Sequence, residues 1–275
     1  MSTERGVRSA KWVAMPALIA AAVLLLAAIL APWIASHAPD AIDLAGRRAP
    51  PSMVHWFGTD DLGRDLFSRV LFGARVSLAV GILAATLTVA LGTGVGVVAG
   101  WAGRWIDALL MRIADAVLAI PRLPFLMIAS LILQPGVALL IVLVAAVSWM
   151  ETSRVVRAEV QSLASRGFVE SARAVGASGW MAIWRHILPN VVPTIAVATT
   201  LAVGRSILLE SALSFFGVGV QPPTASWGNM LYQAQATMAT EPWLALFPGA
   251  AILVSVLTVN ALGETLHVRR TESRG

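Results

Sequence analysis

From Val76 to Gly103 the chain runs for 28 residues without one charged side chain, and from Val13 to Ser36 for 24. About 20 apolar residues in a helix cross the hydrocarbon core of a bilayer. Runs of this length therefore fix the environment before any motif is considered. Composition agrees: 57% of the residues are hydrophobic and 13% charged, against about 25% charged in soluble domains. The chain is read as an all-α, polytopic membrane protein. It has no cysteine, which excludes disulfides and thiolate metal sites.

Six spans account for the pattern: Val13–Ser36, Val76–Gly103, Ile113–Leu133 with a kink at Pro121, Val137–Val156, Val191–Phe216 and Leu244–Gly263. The first exceeds the 7–15 apolar residues of a signal peptide. Gln134-Pro135-Gly136 is read as the turn between the third and fourth spans, since Pro and Gly break a helix. Arg5, Arg8 and Lys11 before the first span place the N-terminus in the cytoplasm. Six spans return the C-terminus to the same side. Thirteen of the 20 basic residues then fall inside and five in the first external loop, the expected direction of bias. The organisation is a cytoplasmic tail over 1–12, a transmembrane unit over 13–265 and a cytoplasmic tail over 266–275. External loops lie at 37–75 and 217–243, and a cytoplasmic loop at 157–189. Multi-pass insertion in a membrane follows, with the lipid bilayer itself as a partner. No basic stretch alternates with aromatics, so nucleic acid is not expected as a partner.

The longest polar insertion in the second half is 151–190, with Arg154, Arg157, Arg166, Arg173 and Arg185 alongside Glu151, Glu159 and Glu170. Phe168, Ala172 and Val175 recur at helical spacing as a narrow apolar stripe. Glu170 and Arg173 are spaced to pair on the other side. Gly176 stands where a left-handed helix stop favours a residue without Cβ. Ser178 is placed to cap a second helix. That helix would carry Trp180, Ile183, Trp184 and Ile187 on its apolar face and end at Pro189. A small-residue helix, a glycine corner and an aromatic helix form a compact shape for a groove on a partner. The competing reading is an amphipathic loop lying on the membrane.

Glu170-Ser171-Ala172, Gly176 and His186-Ile187-Leu188-Pro189-Asn190 resemble the cytoplasmic EAA loop of ABC-importer permeases. Ser171 stands where the family's middle alanine is usual, and His186 where isoleucine is frequent. In the first external loop, Gly58-Thr59-Asp60-Asp61-Leu62-Gly63-Arg64-Asp65 is rich in turn residues and carboxylates but lacks EF-hand spacing. No metal site is expected there, and the residues by themselves read as a capped, solvated turn leading into a helix. Followed by Ser68-Arg69 and Gly73-Ala74-Arg75, it is similar to the segment before the second span in one of the two permeases of dipeptide, oligopeptide and nickel importers. Leu213–Gly217, Gln221–Thr224 and Ser226-Trp227-Gly228 resemble the segment after that family's fifth span. Asn260–Glu264 resembles its ending only weakly, without the usual Asp-Pro.

The resemblance implies a type I ABC-importer permease fold in a bacterial inner (plasma) membrane and half of a translocation pathway for peptides. A second, homologous permease would complete the pathway as a heterodimer. Two ATP-binding subunits would dock through residues 166–188, with Glu170, Ser171, Ala172, Gly176, Ala177, Trp180 and Pro189 as the coupling residues. An extracytoplasmic binding protein would deliver substrate: a dipeptide, an oligopeptide, a nickel chelate or another small solute. This chain holds no G-x-x-x-x-G-K-[ST], and its lone lysine is Lys11. It needs no cofactor of its own, and ATP with magnesium would sit in the partner subunits. No catalytic residues are expected: H-E-x-x-H and G-x-S-x-G are absent, and the four histidines are scattered.

Gly94, Gly96 and Ala99 match a dinucleotide fingerprint, but no strand precedes them. Small residues there serve close helix packing instead. Arg205 and Glu210 lie within the fifth span. A charge at mid-bilayer costs about 2.5–3.5 kcal/mol on insertion scales, so it finds a partner or lines water. Five residues apart, the two point in different directions. With Asn260 they are candidates for a pathway or inter-helix surface, and an internal polar network explains them equally well. A stand-alone secondary transporter would draw on Arg205 and Glu210 alone and leave the 151–190 insertion unexplained.

Overall fold

A computed structural model describes residues 2–134, 136–174, 176 and 178–272; side chains are described from Ala14, except at 170, 172–174 and beyond 268. Among these residues there are helices but no strand, and one isolated bridge joins Thr59 and Asp65.

The first helix, α1, covers Ser2–Ile29, and a short α2, Ala31–Ile34, follows it. An irregular segment leads to α3, Leu66–Ala102. Its 37 residues extend about 55 Å at 1.5 Å per residue, well beyond a hydrocarbon core of about 30 Å. Its first ten residues lie in the segment expected to be external. The start is set by Asp65, whose carboxylate accepts from Ser68 N at 2.8 Å, satisfying one of the free amides of the first turn.

The third expected span is two helices, α4 (Arg104–Leu118) and α5 (Arg122–Leu133), at 80° to each other. Pro121 therefore divides this stretch rather than kinking it. Gln134 closes α5 in the left-handed region; Pro135 lies outside the described residues. The fourth is likewise a pair, α6 (Val137–Ala146) and α7 (Trp149–Ala164), at 45°. Next come α8 (Gly167–Ala174), α9 (Gly179–Ala182), a π-helical turn Ile183–Ile187 and α10 (Leu188–Phe215). A short α11, Trp227–Ala234, precedes α12, Trp243–Glu272.

Pro189 does not end the helix begun at Gly179. The Leu188 amide bonds to Ile183 O across the π turn, and Pro189 falls in the first turn of α10. At that position its missing N–H costs little. The Asn190 side-chain amide donates to His186 O at 2.7 Å, supplying a donor beside the proline.

The long α3 packs most extensively on α7 and α10, and α10 on α12. A glycine ridge explains the first contact. A Cβ on Gly92 would come within 2.6 Å of Thr152 Cβ, on Gly96 within 2.6 Å of Ser153 O, and on Gly100 within 2.8 Å of Val160 Cβ. The backbones meet where those side chains are missing. Gly94, by contrast, has nothing within 4 Å. The ridge thus runs at spacing four through Gly92, Gly96 and Gly100.

Trp227 is buried between α3 and α10, donating from Nε1 to Val70 O at 3.0 Å. Glu210 is fully buried. It accepts from Ser77 Oγ at 3.0 Å and Ser214 Oγ at 2.8 Å. Glu210 is therefore part of an internal polar network linking α10 to α3, with Ser214 in turn accepting from Val220 N.

Candidate functional site

Residues 165–188 hang from the bundle by a buried apolar anchor. Val169, Ala182 and Ile187 are buried, and Val169 and Ile187 cluster with Val156, Val160 and Leu163 of α7 and Val191 of α10. Ala182 and Ile187 are five apart, the i→i+5 spacing of a π turn. Among the described side chains of α8, Val169 is buried, whereas Phe168, expected on the buried stripe, is 42% exposed. Val175 and Ala177 lie outside the described residues, as do the side chains of Glu170, Ala172 and Arg173. Gly176 has φ +93°, the left-handed corner its position calls for, with open space around it. Ser178 Oγ caps α9, accepting from Met181 N at 3.2 Å.

The expected apolar face of the second helix is split. Ile187 turns inward, whereas Trp180 is 69% and Trp184 53% exposed, packed edge-to-face at 5.5 Å. Met181 beside them and Phe168 of α8 are also exposed, as are Ser171, Arg166 and Arg185. Two other arginines of the insertion are held internally. Arg157 makes a bidentate pair with Asp107, and Arg154 pairs with Asp115, tying α7 to α4.

A second site lies where the two helix breaks meet. Arg122 opens α5 after the 80° bend, and Glu151 sits in the first turn of α7 after the 45° bend. Arg122 Nη2 donates to Glu151 Oε1 at 2.6 Å, and Arg205 of α10 pairs with the other carboxylate oxygen. These three line an open cleft of about 260 Å³ with Thr88, Ser148 and His267. Arg205 is half-exposed, so two guanidiniums face one carboxylate on an accessible wall. Arg205 thus lines this cleft and Glu210 does not. Asn260 is exposed and faces Gly204, whose added Cβ would lie 3.2 Å from Asn260 Oδ1. Sequence reasoning missed Glu151 and Arg122 as members; the signal was a charge directly after each break.

The external motif is a closed polar knot. Asp60 Oδ1 accepts from Leu62 N and Arg64 N, each at 2.9 Å, while Oδ2 takes Arg64 Nε at 2.6 Å. Buried Arg69 adds a pair with Asp60 at 3.5 Å. Thr59 Oγ1 donates to Gly46 O and accepts from Ala49 N. Gly58 and Gly63 have φ +81° and +76°, and a Cβ on Gly63 would sit 1.8 Å from Asp43 O. Asp65 Oδ1 accepts from His55 Nδ1 at 2.9 Å. Burial pushes the Asp65 carboxyl up, but hydrogen bonds from Ser68 and His55 and the nearby His37 hold it below its usual range. His37 and His55, scattered in sequence, stand with ring centroids 4.8 Å apart.

Residues 92–271 match the family of binding-protein-dependent transport system inner membrane components. Residues 9–51 match the N-terminal TM domain of oligopeptide transport permease C. A peptide permease of Brucella suis is 41% identical over 246 residues, covering 89% of this chain and 82% of the relative. Glutathione transport system permeases of Escherichia coli and Shigella boydii are each 43% identical over 255 residues, covering 92% of this chain and 84% of each relative.

Proposed function

The chain belongs to the family of binding-protein-dependent transport system inner membrane components, and from that premise we propose that it is the permease half-pore of an ATP-driven importer for peptides. Among its relatives are permeases named for peptide and for glutathione transport. The observation that carries the coupling role is the segment 165–188: exposed Phe168, Trp180, Met181 and Trp184 on a segment anchored by buried Val169 and Ile187. An amphipathic element resting on lipid would need no fixed corner. This one has a capped helix, a positive-φ glycine and a buried base. Such a shape suits a groove on an ATP-binding subunit. Two such subunits, which would hold ATP and magnesium, would act on this chain and on a second, homologous permease. Their closure would be passed through Val169 and Ile187 to α7 and, through the glycine ridge, to α3. The cytoplasmic side is then the side of residues 165–188, and both termini lie there.

The substrate reading rests on the cleft. Two guanidiniums to one carboxylate leave net positive charge on an open wall, suited to a peptide carboxylate. An extracytoplasmic binding protein would present the peptide at the far end.

Co-purification in mild detergent, read by mass spectrometry, tests the assembly. The expected result is a P-loop ATPase and a second permease eluting with the tagged chain. A chain that elutes alone or as a homodimer under several detergents would overturn the reading.

A further inference from the structure

We propose that His37, His55 and Asp65 form a binding site for one divalent transition-metal cation of the imidazole-preferring class, such as zinc or nickel. The inference stands on the external knot and is independent of the transport reading. One ligand atom from each residue lies within 4.8 Å of the others. Both imidazoles address the same carboxylate oxygen: Asp65 Oδ1 is 2.9 Å from His55 Nδ1 and 3.8 Å from His37 Nδ1. Two ligands of a tetrahedral zinc, each about 2.1 Å from the metal, stand about 3.4 Å apart. The two observed separations bracket that value and the third is within 4.8 Å, so side-chain rotation would bring the three onto one cation.

Asp65 is prepared for the role. Its other oxygen, Oδ2, accepts from Ser68 N at 2.8 Å and Ser68 Oγ at 2.7 Å. These bonds hold the carboxylate in place and leave Oδ1 turned toward the histidines, as partners of a ligating carboxylate do at metal sites. At 3.8 Å, His37 is beyond hydrogen-bond reach of Oδ1; its Nδ1 lies 3.1 Å from Ser36 Oγ instead. Access is open, since the His37 and His55 side chains are 38% and 23% exposed. Imidazole ligation selects zinc, nickel or copper over magnesium and calcium, and water would complete the coordination.

Such a cation would join three separate stretches: the segment after α2, the middle of the external segment, and the N-cap of α3. None of the three residues lines the Arg122–Glu151–Arg205 cleft. The role is therefore a brace for the external knot.

The test uses the full chain in mild detergent, purified through a tag without histidine and stripped with EDTA. Zinc is titrated against a chromogenic chelator, and bound metal is counted by mass spectrometry. The expected result is one equivalent per chain and a rise of several degrees in the thermal midpoint, with no rise in magnesium at equal concentration. His37→Ala should weaken zinc binding at least tenfold with an unchanged metal-free midpoint, and His55→Gln should also weaken it. His267→Ala should bind as wild type does. Absence of a one-equivalent site in the wild type, or undiminished zinc affinity in His37→Ala, would overturn the proposal.

Discussion

The two ends of α3 are about 55 Å apart by helix geometry, and both carry polar chain. At the N-terminal end the knot around Asp60 and Asp65 binds its polar groups to one another. Arg64, Arg69, Thr59 and both aspartates are buried, and Gly63 lies against the Asp43 backbone. At the C-terminal end the segment 165–188 does the reverse. It buries a few aliphatic residues and exposes two tryptophans, a phenylalanine and a methionine, and its corner glycine has nothing within 4 Å of where a Cβ would stand. A motif can mark a self-sufficient structural unit or a surface awaiting a partner, and residue burial tells the two apart.

The comparison can be broken by substitutions at matched positions. Gly63→Val should have the largest effect, since it combines strain at positive φ with a backbone clash, together about 3–6 kcal/mol. The expected outcome is loss of folded chain from the membrane fraction, measured by fluorescence-detected gel filtration. Asp60→Ala comes next. It leaves Arg64 and Arg69 as poorly compensated buried cations, at about 3–5 kcal/mol, and should lower the thermal midpoint sharply. Gly176→Val incurs backbone strain of about 1–3 kcal/mol but meets no neighbour. It should fold and insert while peptide uptake falls. Trp180→Ala with Trp184→Ala should change chain stability least, by less than about 1 kcal/mol, because both side chains are already exposed. It should nevertheless weaken ATPase association at least tenfold, as loss of interface tryptophans does. If the tryptophan pair unfolds the chain, or Gly63→Val is tolerated, the contrast between the two ends fails.

Much of this architecture was legible in the sequence. Uncharged runs marked the long apolar helices α3, α10 and α12, and Gly176 and Ser178 announced the corner and the cap because those signals are local. Other features depend on contacts between distant residues. The turn-rich stretch before α3 read as a capped, solvated turn leading into a helix; Asp65 is that cap, but the turn is buried. The π turn at Ile183–Ile187 moved Trp180 and Trp184 off the buried face, and no periodicity of 3.6 anticipates that. His37, His55 and Asp65 are separated by 18 and 10 residues, a spacing that fits no ligand motif, and only the fold brings them together. Glu151 and Arg205 likewise needed the bend before α7 to meet. The glycine ridge was half-visible: small residues at 94–99 suggested close packing, but the register that meets α7 is Gly92, Gly96 and Gly100.

The central claim is that residues 165–188 are the surface on which an ATP-binding subunit docks. The chain has no cysteine, so one introduced thiol reports one position. Met181→Cys, in the exposed patch, and Asp61→Cys, at the opposite end of α3, would each carry a thiol-directed photo-cross-linker in native membranes. The account predicts that position 181 captures a P-loop ATPase, with a yield that changes on adding ATP, and that position 61 does not. Capture of lipid alone at position 181, with the ATPase present in the membranes, would contradict it.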